Sequence, residues 1–443
     1  MISIVNVQDY REFCFRGEGG ANFVISAKNK TTGIRIVWRL AKHKKSGQIS
    51  IKPKCHITNA YLENLIAPLI PEGFLVKPKM VILSIQHVHH LGKIPTLHFN
   101  KKIECFNELT NKEEFRSAMS VLPWNICATA INRGISYIAA LEMPDATCIP
   151  KRLSSMFGPT ITVELKPKQG FFQQHPGISV PFCNNCVLQI EKWNSATYDK
   201  MYDFCPLDLY SGDFGRMKKS ISSLIHDPHR NLRIFVNGNT IHSDEDVLSE
   251  EKLTKMLFPD LNGDVETLIT AICQVLAGVC DDSSEFGLTD ESVLKFLLNA
   301  QLLDPIGIVT AHELYQNLSY SQQRKLLDKT RLMKKSVNSF IDLSTDPISL
   351  LEKYFFAATL KDCSLMLSLK QVSPDEVRSS NLASNIVKVR KSNSLYFAYS
   401  IKIVDLDPKT PKNLVNAYQR FMDGVRIIRE NPSIHKRCVL PTA

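Results

Sequence analysis

The feature that most constrains this chain is a change of period. In its first third, apolar side chains recur at every second position in FVISAK (23–28), IRIVWRL (34–40), MVILSIQHV (80–88) and YIAAL (137–141). That is the spacing of half-buried strands. Two helical stretches, ITNAYLENLIAPLI and NKEEFRSAMSVL, interrupt them. The polar, proline-containing segment LEMPDATCIP (141–150) reads as a hinge. After it come TITVELKP and LRIFVNGNTI, again strand-like, and then helical periodicity from about Glu250 to Ala358. The tail returns to strands in CSLMLSLK and SLYFAYSIKIVDLD and closes on a helix around NLVNAYQRFMDGVRII. With 443 residues the chain exceeds what one hydrophobic core serves. The pattern predicts an α+β protein of two lobes, a small β-rich N-lobe over 1–147 and a larger mixed C-lobe over 148–443.

Composition narrows the class. No apolar run reaches the ~18–20 residues of a membrane span, and MISIVNVQDYREF lacks the basic-then-apolar plan of a secretory signal. The expected location is nucleus and cytoplasm. The 12 cysteines are scattered, which in a reducing compartment predicts buried thiols. Cys183 and Cys186 in FCNNCVL have zinc-like spacing, but no second Cys/His pair follows at finger spacing, so structural zinc is not expected. The net charge of +10 suits nucleic acid, an anionic membrane surface or a highly phosphorylated small molecule. The basic runs are short (KHKK at 42–45, KK at 101–102, RLMKK at 331–335) and read as solvated surface. Neither nucleic acid nor a membrane is expected as a partner, and a monomer is expected.

Four segments carry chemistry. In RGEGGANFV (16–24) the glycines form either a ligand-free hairpin turn or a loop whose bare main chain approaches a triphosphate. No Lys-Ser/Thr pair and no helix follows, so it is neither a Walker loop nor a dinucleotide fingerprint. Arg39, in IRIVWRLAK, sits where kinase-like lobes place a basic residue on the third strand, or is a surface arginine beside Lys42. In VELKPKQGFF the alternation predicts Glu164, Lys166 and Lys168 on one face of a strand. Asp362 precedes a strand-like run and Asp405 and Asp407 follow one. Strand-end aspartates can orient an acceptor hydroxyl and hold magnesium, or serve as turn caps.

Taken in order, these segments resemble the inositol-pentakisphosphate 2-kinase family. The resemblance rests on RGEGGANFV, VELKPKQGF, CNNCVLQIEK, PLDLYSGD (206–213), FVNGNTI, LLDPIGIVTAHELY, LKDCSLMLSL and DLDPK, and spans nearly the whole chain. It implies a two-lobed kinase-like fold of the inositol polyphosphate kinase type, with inserted helices in the C-lobe. It implies phosphorylation of the 2-hydroxyl of inositol pentakisphosphate by ATP with magnesium. The alternatives are a kinase for another inositol polyphosphate and a catalytically silent polyanion-binding scaffold. Residue by residue, it implies that main-chain amides of Gly17, Glu18, Gly19, Gly20, Ala21 and Asn22 cover the ATP phosphates with Arg39. Asp145 would touch the nucleoside and Glu164 lie on the nucleotide side. Lys166 would be catalytic and, with Lys168, Lys192, Asn237 and Lys409, bind substrate. Asp362 would deprotonate the hydroxyl, and Asp405, with Asp362, would hold magnesium.

The chain departs from the family pattern at several points. M-H-Q is replaced by Val187-Leu188-Gln189, and the basic residue after the DLDPK lysine is Asn413, with Lys412 as its stand-in. Tyr418 is the nearest counterpart of the family's tyrosine. The phosphate-sensing arginine has only Asn125 or Arg133 near its place. A zinc quartet of plant members is not matched, since the helical region offers only Cys273, Cys280 and His312.

Overall fold

The alternating segments pair into two six-stranded sheets in the computed structural model. It describes residues 3–19, 22–42, 54–94, 103–111, 122, 124–149, 156–260, 262–281, 285–342, 344–379, 385–390, 395–434 and 438–439. Two units emerge. The first comprises Met1–Ala60 and Val76–Cys148, the second Tyr61–Leu75 and Ile149–Ala443.

In the first unit the strands are β1 (Ser3–Ile4), β2 (Tyr10–Glu18), β3 (Asn22–Asn29), β4 (Arg35–Ala41), β5 (Lys79–Ser84) and β6 (Tyr137–Pro144). Their order is β1-β5-β6-β4-β3-β2, and only β1 and β5 run parallel. Phe13, Phe23, Ile25 and Trp38 are fully buried in one cluster, and the Trp38 indole N–H donates to Glu142 at 2.9 Å. The pairing satisfies the polar edge of the ring inside the core. MVILSIQHV, expected as one strand, is divided. β5 stops at Ser84 and a helix runs over Ile85–Leu91, burying Ile85, Val88 and Leu91 at helical spacing. LEMPDATCIP is likewise not a hinge throughout, because Leu141–Pro144 belong to β6. NKEEFRSAMSVL lies almost entirely outside the described residues.

In the second unit the strands are β7 (Met156–Leu165), β8 (Leu232–Val236), β9 (Asn239–His242), β10 (Ser364–Val372), β11 (Ile386–Lys388) and β12 (Tyr396–Val404), in the all-antiparallel order β11-β12-β10-β7-β8-β9. One core cluster joins this sheet to the helices Phe214–His226, Val265–Ala277 and Val293–Gln301. A second joins the helices Asn184–Asn194, Gly307–Gln316, Pro347–Leu360 and Pro411–Glu430. Segment 61–75 is woven into this unit. The Tyr61 hydroxyl donates to Thr359 at 3.2 Å, Lys402 Nζ donates to the Gly73 carbonyl, and Leu75 bridges to Ile403.

Glu164, Lys166 and Lys168 do not share one strand face, because β7 ends at Leu165. Pro167 has no N–H to give a ladder, and Lys168 adopts a left-handed φ of +61°. Among the described residues, no helix is long and apolar enough to cross a membrane. All twelve cysteines carry free thiols; Cys105 and Cys148 are exposed rather than buried.

Candidate functional site

Strand register brings the charged residues of the second unit together. Leu165 pairs with Leu365 and Leu232, and Ser364 with Val404, so the C-terminal ends of β7 and β12 meet the N-terminal ends of β8 and β10. Residues just beyond those ends share one edge. They are Lys166 and Lys168 after β7, Arg230 and Asn231 before β8, Asp362 before β10, and Asp405 and Lys409 after β12. Among the described residues, four of the eight non-glycine residues with positive φ lie here, namely Lys168, His229, Arg230 and Asp405. Backbone held in this region concentrates at functional sites.

The 166–170 turn is fixed from below. Gln301, with no exposed surface, accepts from the Gly170 N–H at 2.9 Å and donates to the carbonyls of Lys168 at 3.0 Å and Leu360 at 3.2 Å. The Lys166 N–H donates to the Asn231 carbonyl at 2.8 Å. Gly170 is required by a close approach, since a Cβ there would stand 2.5 Å from the Tyr210 ring. Tyr210 belongs to PLDLYSGD, so two of the quoted segments meet in one packing contact.

Asp362 is the centre of the charge cluster. Lys168 Nζ donates to one carboxylate oxygen at 3.3 Å and Lys409 Nζ to the other at 2.5 Å. The Asp362 side chain keeps about half of its exposure (46%), so it is open to a ligand. Burial opposes its ionisation, but Lys168, Lys409 and Lys166 overcome that and hold it well below the usual carboxylate range. Burial lowers Lys168, and Lys166 and Lys192 lower it further against the pull of Asp362. Lys192, on helix Asn184–Asn194, donates to the Tyr198 hydroxyl at 3.1 Å. It is lowered by burial and by Arg420 and Arg230, against Glu191 and Asp362. The edge is therefore a carboxylate set among cations that repel one another, a surface that a polyanion would stabilise.

Some expected residues stand elsewhere. Asn237 forms the β8–β9 turn, and its side chain accepts from the Thr160 N–H at 2.9 Å. Thr160 is six residues back along β7 from Lys166, roughly 20 Å at strand rise. Asn237 is thus placed away from Asp362. Lys412 is exposed on helix Pro411–Glu430, and Tyr418 on the same helix stacks on His312 with ring centroids 3.7 Å apart. Arg133 is exposed after helix Trp124–Asn132. Arg230, Arg420 and Glu191 belong to the surroundings of Lys192 and were missed, although pairing LRIF against VEL would have placed Arg230 beside Lys166. Glu164 makes an ion pair with Arg233 at 3.9 Å. The RLMKK run is not plain solvated surface either, because Arg331 is largely enclosed and faces Glu352 at 3.6 Å.

In the first unit, β2 and β3 form the glycine hairpin, with the Gly19 N–H donating to the Asn22 carbonyl at 2.9 Å. Gly20 and Ala21 lie outside the described residues. A Cβ on Gly17 or Gly19 would meet no atom within 4 Å. Glu18 pairs with Lys42, which is buried rather than solvated, while the rest of KHKK lies outside the described residues. Arg39 lies on β4 opposite Val24. The buried Asp145 carboxylate is enclosed by Arg16, at 2.8 and 3.1 Å, and by the N–H and hydroxyl of Thr147, at 3.0 and 2.6 Å. Burial would raise its pKa, but Arg16 and Thr147 keep it lowered.

Comparison with known proteins bears on both units. A family profile described as inositol-pentakisphosphate 2-kinase matches residues 15–421. An inositol-pentakisphosphate 2-kinase of Danio rerio is 24% identical, covering 93% of this chain and 92% of its own. That of Arabidopsis thaliana is 24% identical over 95% and 93%, and that of Oryza sativa subsp. indica 26% identical over 97% and 96%.

Proposed function

Because the chain belongs to the inositol-pentakisphosphate 2-kinase family, we propose that it transfers the γ-phosphoryl group of ATP to the 2-hydroxyl of inositol 1,3,4,5,6-pentakisphosphate, giving inositol hexakisphosphate. The observation that carries this reading to the residues is the Asp362 carboxylate bridged between Lys168 and Lys409, with Lys166 nearby. A substrate bearing five phosphates offers those lysines competing anions. As they turn to phosphate, Asp362 loses its nearest cations and its proton affinity rises toward the ordinary range. It then accepts the proton of the acceptor hydroxyl as the phosphoryl group arrives. Lys192 and Lys166 extend the cationic lining.

In this reading the two units are the N- and C-lobes of a kinase-like fold. The first holds the nucleotide. Neither packing nor a positive φ demands glycine at 17 or 19, so the bare backbone there leaves room for phosphate oxygens to reach N–H groups. Arg39 would add a bidentate phosphate contact. The residues fit magnesium: Asp405 and Asp362 supply hard oxygen donors at one sheet edge, the donor type this ion combines with substrate phosphates. Bound there, the ion would neutralise charge on the phosphoryl oxygens.

The test is incubation of purified protein with ATP, magnesium and single inositol polyphosphates, followed by product separation. Conversion of the pentakisphosphate with a free 2-hydroxyl to the hexakisphosphate is expected. If that compound is left untouched while another inositol phosphate is converted, or if none is, the reading fails.

A further inference from the structure

We propose that Lys329 and Thr359 are positioning residues, which aim Lys409 and Asp405 by holding two consecutive carbonyls of the DLDPK loop. The proposal rests on the function proposed above, in which Asp362, Asp405 and Lys409 meet the substrate and its metal. Lys329 and Thr359 act on the main chain of the loop rather than on the ligand.

Residues 405–410 form neither strand nor helix and link β12 to helix Pro411–Glu430. Asp405, at their start, adopts a left-handed φ of +63°, which costs free energy in a non-glycine residue. Such a conformation persists only where the surroundings hold it. Two donors from separate elements do so. Lys329 Nζ, on the short helix Lys329–Lys334, donates to the Pro408 carbonyl at 2.7 Å. Thr359 Oγ1, near the end of helix Pro347–Leu360, donates at 3.2 Å to the Asp407 carbonyl and, at the same distance, to that of Phe355. Thr359 has no exposed surface, and the Tyr61 hydroxyl donates to its oxygen at 3.2 Å. With that lone pair taken up by Tyr61, the Thr359 proton is directed at the carbonyls.

Apolar packing does not do this work. A cavity lined by Tyr61, Arg331, Glu352, Phe356, Pro408 and Lys409 lies against the loop, so contact on that side is incomplete. The loop is therefore placed by its hydrogen bonds, and the charge-assisted one from Lys329 is the stronger kind. Lys409 directly follows the clamped Pro408, and its Nζ donates to Asp362. Thr359 stands three residues before Asp362, so one helix end sets both members of that pair.

The experiment is a double-mutant cycle between Lys329 and Lys409 in the full chain. Lys329→Met should raise KM for the pentakisphosphate about 10-fold, the low end for a charge-assisted hydrogen bond. It should also raise the magnesium concentration needed for half-maximal rate. Thr359→Val, which removes only the hydroxyl from a side chain of the same shape, should move both in the same direction. Lys329→Arg keeps a charged donor and should restore most of the loss. On a Lys409→Ala background, Lys329→Met should add nothing to KM, because the residue it aims is gone. A purely structural role would instead lower kcat through a smaller active fraction and leave KM and the magnesium requirement in place. A mere field effect of the Lys329 charge would fade in high salt, whereas the ratio of KM between variant and parent should persist. Unchanged KM in Lys329→Met, full additivity in the cycle, or a ratio that collapses in high salt overturns the proposal. Calorimetric binding of the pentakisphosphate reads the same cycle without turnover. An unaltered chain that binds this compound but does not convert it sinks the proposed reaction alone, and the binding cycle still decides the positioning roles. One that does not bind it sinks both. If Thr359→Val does not fold, Lys329→Met, at a half-buried position, decides.

Discussion

Asp362 as it stands is a weak base, since two ammonium groups hold its proton affinity down. That makes its variant informative. Asp362→Asn should reduce kcat by 10²–10⁴, the range for loss of a general base. Binding of the pentakisphosphate, measured calorimetrically, should hold or tighten because a negative charge has gone; near-normal kcat would remove Asp362 from the role. Lys168 adds a pH signature. Its pKa is lowered, so it loses its charge at a lower pH than an ordinary lysine, near 10.4, would. KM should therefore climb early on the alkaline side, and Lys168→Arg should flatten that limb. Lys409→Ala removes a charge-assisted contact worth about 1.5–3 kcal/mol, roughly 10- to 100-fold in KM. In the first unit, Asp145→Asn leaves Arg16 buried and uncompensated, a loss of about 3–5 kcal/mol by urea denaturation. The folded pKa of Asp145 is depressed, so the stability from this pair is present above the unfolded value near 3.9 and is lost as pH falls through the folded one.

At the scale of elements, the edge depends on parts that touch no ligand. Gln301 ties the 166–170 turn to the end of helix Pro347–Leu360, which leads into Asp362. Gln301→Ala strands buried polar groups at about 1–3 kcal/mol and should lower kcat by loosening Lys168. Unchanged kcat with reduced stability would assign Gln301 a purely structural part. FVISAK was legible because Phe23, Ile25 and Ala27 are fully buried while Val24 and Lys28 are not, and period 2 survives that one-sided burial. Two failures have local causes. VELKPK keeps its alternation past Leu165 although Pro167 and the left-handed Lys168 end the strand, and MVILSIQHV carries apolar residues that serve period 2 and then a helix. Another failure is long-range: Arg230 joins the edge through β7–β8 register, which local spacing does not encode. Asp362 was recoverable because it directly precedes a strand-like run, whereas Lys409 was named only through the family resemblance.

For the whole molecule, charge and connectivity are the properties that matter. The excess of positive charge, +10, and the lysine-lined edge predict a KM for the pentakisphosphate that rises with ionic strength, as screening at about 0.15 M already limits interactions to roughly 8 Å. A salt-independent KM would contradict electrostatic capture. Segment 61–75 has a consequence in time. It is made early, inside the sequence of the first unit, yet its partner at Gly73 is Lys402, 329 residues later. At about 5–20 residues per second, that partner leaves the ribosome some 15–65 s afterwards. Through that interval Leu65, Ile66 and Ile70, buried in the finished protein, belong to a core cluster that is incomplete until Ile403 and Leu406 are made. Each nascent chain therefore carries this apolar segment with its core unfinished for most of its own synthesis, a window in which exposed apolar surface invites misassembly.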